Sequence, residues 1–337
     1  MPIKTCTVLG AGSWGTALAK LLSDKGYETR LWGRSKEKAQ AIEEARENAP
    51  YLPGFSLPKT LRSTANLEEA LEGTELVVVV VPSHGVRPLL EGGAAKLFPK
   101  DAPICAAIKG IENSTLMMVS EIFEQDLPAS QHAQLSYLGG PSFAKEVAAG
   151  IPTAVSIAGK DHDVTARVQN ALSTERLRAY TTEDVVGVEL GGALKNVVAI
   201  AAGIADGLGL GLNTRAALIT RGLAEMTRLA VKRGANPLTM AGLGGMGDLV
   251  LTCTGDLSRN RTVGMKLGQG QKLQEILDGM NMVAEGVRTS KSARNLALRE
   301  EVEMPIVEEV YRVLYEDRSP KEAVVSLMTR PLKAERA

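Results

Sequence analysis

Near the amino terminus the sequence reads Ile3-Lys4-Thr5-Cys6-Thr7-Val8-Leu9-Gly10-Ala11-Gly12-Ser13-Trp14-Gly15. The apolar run Ile3–Leu9 predicts a buried strand, and the amphipathic segment Ser13–Lys25 predicts a helix. The glycines between them have the spacing GxGxxG, which indicates dinucleotide binding when it follows a strand and opens a helix. We expect Gly10 to form the tight turn, Gly12 to let a pyrophosphate approach the backbone, and Gly15 to allow close packing of helix on strand.

The first half of the chain continues to alternate between short apolar runs and amphipathic segments. Further strands are predicted at Glu28–Trp32, Leu76–Val81, Pro103–Ala107, Gln134–Leu138 and Thr153–Ala158. Further helices are predicted at Lys36–Ala45, Gly85–Leu97 and Ser114–Glu124. This alternation is typical of a parallel sheet with helices on both faces.

The second half shows helical patterns and no confident strand. Its predicted helices are Val185–Gly203, Arg215–Arg233, Arg259–Leu267, Glu285–Leu298, Ile306–Tyr315 and Lys321–Met328. Two glycine-rich stretches, Gly203–Gly211 and Gly242–Gly247, interrupt them. We therefore predict an α/β, Rossmann-type doubly wound domain over residues 1–185, followed by an all-α domain over residues 186–337.

Composition and charge argue against several kinds of partner and site. The 337 residues carry no net charge, which favours neither nucleic acid nor an anionic membrane as partner. The three cysteines and three histidines lack ligand spacing, so we expect neither a disulfide framework nor a metal site. The first strand leaves no room for a signal peptide, and no apolar stretch approaches the roughly 18 residues of a membrane span. We expect a cytoplasmic protein, and the apolar faces of the helical half are compatible with a homodimer.

Cofactor selectivity is predicted from the end of the second strand. NAD-selective enzymes usually place an acidic residue there, about 20 residues past the glycines. This chain has Arg34 instead, followed by Ser35 and Lys36. Because a guanidinium suits a 2′-phosphate, the sequence favours NADPH, with NADH as the alternative. A solvated surface charge is the other interpretation of Arg34.

Two lysines are candidates for the chemistry. Lys109 comes just past a strand, where open α/β sheets bind ligands, although it could also be an ordinary loop lysine. Lys195 lies in an apolar helical run beside Gly191 and Gly192, a pair whose cost in a helix suggests close approach of another group. Lys195 is therefore either partly desolvated, with a lowered pKa and acid/base capacity, or it extends to the surface.

A candidate anion site follows in the second half. Asp248 ends a glycine-rich loop and could orient a catalytic ammonium, or it could cap a short helix. Ser258 can cap a helix whose first turn carries Arg259, Asn260 and Arg261. A helix start beside guanidinium groups is suited to a phosphate, although surface charge is the alternative.

Taken together, these segments resemble bacterial NAD(P)-dependent glycerol-3-phosphate dehydrogenase over nearly the whole chain. The first five segments are GAGSWGTALA from Gly10, LWGR from Leu31, VVVVVPSH from Val77, AIKGIE from Ala107 and GGPSFAKEV from Gly139. The other three are ELGGALKNVVAIAAGIADGL from Glu189, GDLVLTCTGDLSRNRTVG from Gly247 and VAEGVRT from Val283.

The resemblance implies reduction of dihydroxyacetone phosphate to sn-glycerol 3-phosphate for glycerophospholipid synthesis. It implies catalytic roles for Lys195, the acid/base, and for Lys109 and Asp248. It implies that the cofactor contacts, besides the three fingerprint glycines, are Ser13, Trp14, Arg34, Lys109, Ala144, Arg259, Val283 and Glu285. It implies that the substrate contacts are Lys109, Gly140, Ser142, Lys195, Asp248, Ser258, Arg259 and Asn260. The first domain would then bind NAD(P)H and the second the substrate.

Two other functions are alternatives for a chain with this layout. A β-hydroxyacid dehydrogenase of the 6-phosphogluconate type shares the layout and a helix lysine followed by asparagine. Residues 258–261 favour a phosphate over the carboxylate of such a substrate. A non-catalytic NADPH-binding regulator is the second alternative, and the presence of both Lys195 and Asp248 argues against it.

Overall fold

The computed structural model describes residues 3–280 and 284–335. Its strands are β1 (Thr5–Leu9), β2 (Glu28–Trp32), β3 (Leu61–Thr64), β4 (Leu76–Val79), β5 (Ile104–Ala106), β6 (Leu135–Gly139), β7 (Thr153–Ala158) and β8 (Leu177–Thr182). The helices that accompany them are α1 (Ser13–Asp24), α2 (Lys36–Ala45), α3 (Leu67–Leu71), α4 (Val86–Leu89), α5 (Ala95–Leu97), α6 (Val119–Asp126), α7 (Ala144–Ala148) and α8 (His162–Leu172). The helices that follow are α9 (Val185–Gly207), α10 (Gly211–Lys232), α11 (Pro237–Ala241), α12 (Asp248–Thr254), α13 (Arg259–Gly268), α14 (Leu273–Asp278), α15 (Glu285–Arg299), α16 (Pro305–Tyr315) and α17 (Pro320–Met328).

The strands form one eight-stranded sheet in the order β3-β2-β1-β4-β5-β6-β7-β8. The first six strands in this order have the doubly wound Rossmann arrangement, which confirms the predicted fold class. The sheet is mixed, not wholly parallel as predicted, because β7 runs antiparallel to β6. The intervening α7 has five residues and rises only about 7.5 Å, too short to carry the chain back along β6 for a parallel pairing.

Several predicted boundaries were wrong. Two strands were missed, β3 and β8, and both are edge strands whose partly exposed side chains lack a continuous apolar run. The predicted helix Gly85–Leu97 is divided by a π-helical turn, in which Gly93 has φ of 115°. The predicted helix at Ser114 begins only at Val119, because residues 111–118 form a small bridged loop.

The helical region is built around α9, whose side chains are almost all buried. By length and composition this helix could span a membrane, contrary to our expectation that no such stretch exists. In the structure 94% of its apolar window is buried, so it is the central core helix of this region. It packs against α10, α12, α13 and α15.

Close backbone contact explains the glycines at the end of α9. A Cβ on Gly203 would lie 2.1 Å from the carbonyl oxygen of Arg261, and one on Gly264 would lie 2.0 Å from that of Ile200. The helix α9 continues past Gly203 and ends at Gly207, so the predicted helix end at Gly203 was wrong. Their lack of a side chain lets α13 approach α9 until the backbones touch, which fixes the position of α13.

Candidate active site

Three charged side chains meet beyond the carboxyl edge of the sheet. Lys109 follows β5, Lys195 lies in the middle of α9, and Asp248 is the first residue of α12. Lys109 Nζ donates to Asp248 Oδ2 at 2.5 Å, and Lys195 Nζ donates to Asp248 Oδ1. One carboxylate thus binds two ammonium groups, one from each half of the chain.

The cluster lies at the end of β6 as well. Lys109 Nζ also donates to the carbonyl oxygen of Gly140 at 3.2 Å. The Ser142 hydroxyl donates to the same carbonyl at 3.0 Å. Gly140 has φ of 119°, a conformation suited to glycine. The loop after β6 therefore lies beside the two lysines, as a substrate-binding loop at this position would.

Burial lowers the pKa of one lysine in this cluster. Lys195 is 6% exposed and Asp248 is fully buried. Burial lowers the pKa of Lys195 to about 7, and the charge of Lys109 lowers it as well, against the opposing effect of Asp248. Lys195 is therefore desolvated and does not extend to the surface. At neutral pH it can both donate and accept a proton.

The two glycines before Lys195 make room for the cluster. A Cβ on Gly191 would lie 2.2 Å from the carbonyl oxygen of Gly244, in the π-helical turn that precedes Asp248. A Cβ on Gly192 would lie 3.3 Å from Cγ of Lys109. The predicted close approach is therefore made by two groups. One is the turn that carries Asp248, and the other is the side chain of Lys109.

Thr252 is a site residue that the sequence analysis missed. Its hydroxyl accepts a hydrogen bond from Lys195 Nζ at 2.8 Å and donates to the carbonyl oxygen of Asp248 at 2.6 Å. Thr252 follows Asp248 by four residues, so helical spacing could have placed both on one face. Thr252 thus gives the Lys195 ammonium a second hydrogen-bond partner.

The glycine turn fits a dinucleotide. Gly10 has φ of 126°, and a Cβ there would lie 2.7 Å from the carbonyl oxygen of Val80. A Cβ on Gly15 would lie 1.8 Å from the carbonyl oxygen of Gly10. A Cβ on Gly12 meets no atom of the described chain within 4 Å, so the open side of the turn faces away from the protein. This open backbone at the start of α1 is the cradle that a pyrophosphate requires.

The other predicted cofactor contacts are spread around this turn. Ser13 and Trp14 form the first turn of α1, and the Ser13 hydroxyl donates to the carbonyl oxygen of Tyr51 at 2.5 Å. Arg34 is exposed just past β2. Ala144 begins α7 after the Gly140 loop.

Only part of the predicted anion site faces outward. Ser258 caps α13 through its hydroxyl, which accepts from the N–H of Arg261 at 3.2 Å. Arg261 binds Asp206 and Asp256, and Asn260 is buried against Asn196 and the N–H of Gly286.

Arg259 lies in the same first turn of α13. Its side chain is exposed, yet enough protein surrounds it that burial lowers its pKa, against the effect of Glu285. This combination is typical of a cleft wall.

Glu285 links the segment after β4 to the helical region. Its carboxylate accepts a hydrogen bond from the Ser83 hydroxyl at 3.1 Å, and burial raises its pKa. Ser83 follows β4, so this bond holds the start of α15 over the glycine turn. Val283, also predicted to contact the cofactor, lies outside the described residues.

Two family models match the chain in sequence order. The model of the N-terminal part of NAD-dependent glycerol-3-phosphate dehydrogenase matches residues 5–165, and that of the C-terminal part matches residues 184–325. The chain belongs to this family. The fold, the glycine turn and the lysine pair all lie within the matched segments.

Similar proteins match nearly the whole of this chain over nearly the whole of their own length. Glycerol-3-phosphate dehydrogenase [NAD(P)+] of Citrifermentans bemidjiense is 58% identical over 97% of this chain and 98% of its own length. That of Leptospira biflexa is 55% identical over the same shares. The crystal structure of glycerol-3-phosphate dehydrogenase from Coxiella burnetii matches with a TM-score of 0.92 and 38% identity, covering 97% of this chain and 99% of the other.

Proposed function

We propose a residue-level mechanism for the glycerol-3-phosphate dehydrogenase [NAD(P)+] reaction, which this chain catalyses as a member of its family. The reaction interconverts dihydroxyacetone phosphate and glycerol 3-phosphate. The observation that carries the mechanism is the buried Asp248 carboxylate shared by the ammonium groups of Lys195 and Lys109. This geometry argues against the non-catalytic regulator, because a buried lysine with a lowered pKa beside a buried carboxylate is typical of a catalytic site.

Lys195 is the acid in the reducing direction. Bound NAD(P)H supplies the hydride to the ketone carbon of the substrate. The Lys195 ammonium donates its proton to the oxygen on which negative charge develops, and the neutral amine accepts that proton in reverse. Asp248 and Thr252 orient the ammonium through the hydrogen bonds described above.

Lys109 stabilises charge beside Lys195. Its ammonium adds positive charge close to the developing alkoxide in a cleft with little water. The bond from Lys109 to the carbonyl of Gly140 couples this charge to the loop that carries Ser142, where we place part of the substrate. Remote binding of the substrate phosphate then positions its ketone against both lysines.

We assign phosphate binding to Arg259 at the start of α13. Arg259→Leu should raise KM for dihydroxyacetone phosphate by about 10-fold or more, because a charge-assisted contact with the phosphate is lost. A smaller change in kcat is expected. Initial rates of NADPH oxidation over a range of substrate concentrations measure both.

The matched control is Arg261→Leu, two residues further along the same helix. Because Arg261 binds Asp206 and Asp256, this variant should lose stability without a comparable rise in KM. Equal KM values for wild type and Arg259→Leu would remove Arg259 from the phosphate site. If wild type binds NADPH but oxidises it only with a β-keto acid, the substrate assignment itself fails.

The pH dependence follows from the lowered pKa of Lys195. Reduction requires the ammonium, so its kcat/KM should fall as pH rises through about 7. Oxidation requires the neutral amine, so its kcat/KM should fall as pH drops through the same value. Rates in both directions between about pH 5.5 and 9 test this. A reduction rate that stays constant over the whole interval would contradict an acid with a lowered pKa.

We assign NAD(P)H binding to residues 1–185 and substrate binding mainly to residues 186–337, with Lys109 and the Gly140 loop contributed by the first part. Arg34 supports a preference for NADPH, because it is exposed at the position where a 2′-phosphate is recognised. A cytoplasmic location, a homodimer and a role in glycerophospholipid synthesis stay predictions.

A further inference from the structure

Three basic side chains lie in segments around the glycine turn that follows β1. Arg34 follows β2, His84 follows β4, and Arg288 lies in α15. β2 and β4 are the two neighbours of β1 in the sheet. Their carboxyl ends therefore lie on either side of the turn that follows β1.

Backbone contacts place the first two of these residues against that turn. A Cβ on Gly33 would lie 3.0 Å from the Cβ of Ala11, so the segment that leads into Arg34 packs on the turn from one side. On the other side, Gly10 touches the carbonyl of Val80, in the segment that leads to His84.

The third residue is brought in by the helical region. Ser83, next to His84, donates to Glu285 at 3.1 Å and thereby fixes the first turn of α15. Arg288 lies one turn further along the same face of α15, and its side chain is exposed.

The positive charges of both arginines act on His84. Burial lowers the pKa of His84, and the positive charges of Arg288 and Arg34 lower it further. Exposed charges separated by more than about 10 Å are largely screened in salt. This agrees with the placement of the three segments by the contacts of Gly33, Gly10 and Ser83.

None of these three side chains forms an ion pair among the described residues. Arg34, His84 and Arg288 make no hydrogen bond or ion pair there, whereas Arg87 and Arg233 each bind two carboxylates.

The carboxylate of Glu285 interacts electrostatically with Arg288, but it also accepts a hydrogen bond from Ser83, and burial raises its pKa. The guanidinium groups of Arg34 and Arg288 are both exposed, and a bound anion would neutralise their charge.

We propose that Arg288, together with Arg34 and His84, binds a phosphate group of the dinucleotide. Arg288 is then the residue through which the helical region contributes to cofactor affinity. The inference rests on the proposed function, which supplies the dinucleotide. The phosphate is either the 2′-phosphate or the pyrophosphate, and the position of Arg34 past β2 favours the 2′-phosphate.

The test is cofactor binding without substrate. NADPH and NADH are titrated into wild type, Arg288→Gln, Arg34→Gln and the double variant, and Kd is read from nucleotide fluorescence. Lys291→Gln is the matched control, because it removes one exposed positive charge from the same helix. Thermal unfolding of each variant checks that the fold is retained.

We expect Arg288→Gln to weaken NADPH binding by about 10-fold and NADH binding far less. The double variant should lose less than the product of the two single losses, since both residues bind one phosphate. Equal weakening for both nucleotides would support the proposal with the pyrophosphate as the phosphate held.

An unchanged Kd for both nucleotides in Arg288→Gln, or the same loss in Lys291→Gln, would overturn the proposal. Failure of the cofactor assignment looks different, because wild type itself would then bind neither nucleotide. Failure of the substrate assignment alone would leave nucleotide binding, and this inference, unchanged.

Discussion

Lys195→Ala is expected to lower kcat for reduction of dihydroxyacetone phosphate by about 10²–10⁴-fold, the usual contribution of a general acid. The affinity for NADPH should change little, because Lys195 lies in the cluster with Asp248 and Thr252 and away from the glycine turn. Stopped-flow or steady-state rates measure the first quantity, and nucleotide fluorescence measures the second.

Two controls separate lost proton transfer from lost structure. Lys232→Ala removes an exposed lysine from the end of α10 and should leave the rate unchanged. A small alkylammonium added to Lys195→Ala should restore part of the rate, because the truncation leaves space for it beside Asp248. A variant that keeps more than about a tenth of the wild-type kcat would show that Lys195 is not the acid.

Asp248→Asn is expected to have the second large effect, on both activity and stability. The substitution keeps the shape of the side chain and removes the carboxylate charge that raises the pKa of Lys195. The buried ammonium of Lys195 and the partly buried ammonium of Lys109 then face each other without this carboxylate. Breaking a buried pair in this way typically costs about 3–5 kcal/mol of unfolding free energy. Denaturant unfolding measures that loss.

The pH profile distinguishes this electrostatic role from simple loss of folding. With Asp248 neutral, the pKa of Lys195 should fall further, so the decline of reduction with pH should move to lower pH. Asp256→Asn is the matched control, because that carboxylate also pairs with a cation but its side chain is 96% exposed. It should change neither property appreciably. An unshifted profile in a folded Asp248→Asn protein would remove the aspartate from control of Lys195.

Much of the fold could be predicted from local pattern. The glycine spacing between β1 and α1, the valine run of β4 and the bounds of β2, α2 and β7 all depend on neighbouring residues along the chain. Such features are determined by period and burial over short windows, which a sequence displays directly. The edge strands β3 and β8 were missed for the opposite reason, since exposure on one side removes the continuous apolar run.

The residues of the candidate site could be named from the sequence, but their relations could not. Lys109, Lys195 and Asp248 are separated by 53 or more positions, and no periodicity links them. The resemblance implied that each residue acts, whereas the geometry shows one carboxylate holding two ammoniums. The contact of Thr252 with Lys195 was likewise visible only after α12 had been placed beside α9.

The tertiary structure also distinguished two arginines that look alike in the sequence. In sequence, Arg259 and Arg261 are equivalent members of one basic turn. In the fold, Arg261 points back to Asp206 on α9, because helical spacing and the glycine contacts between α9 and α13 bring these two side chains together. Arg288 is brought near His84 because Glu285 at the start of α15 binds Ser83 after β4. Local sequence therefore determined the elements and the chemical groups they carry, whereas the packing of distant elements determined protonation, pairing and orientation, since those depend on distance in space and on the exclusion of water.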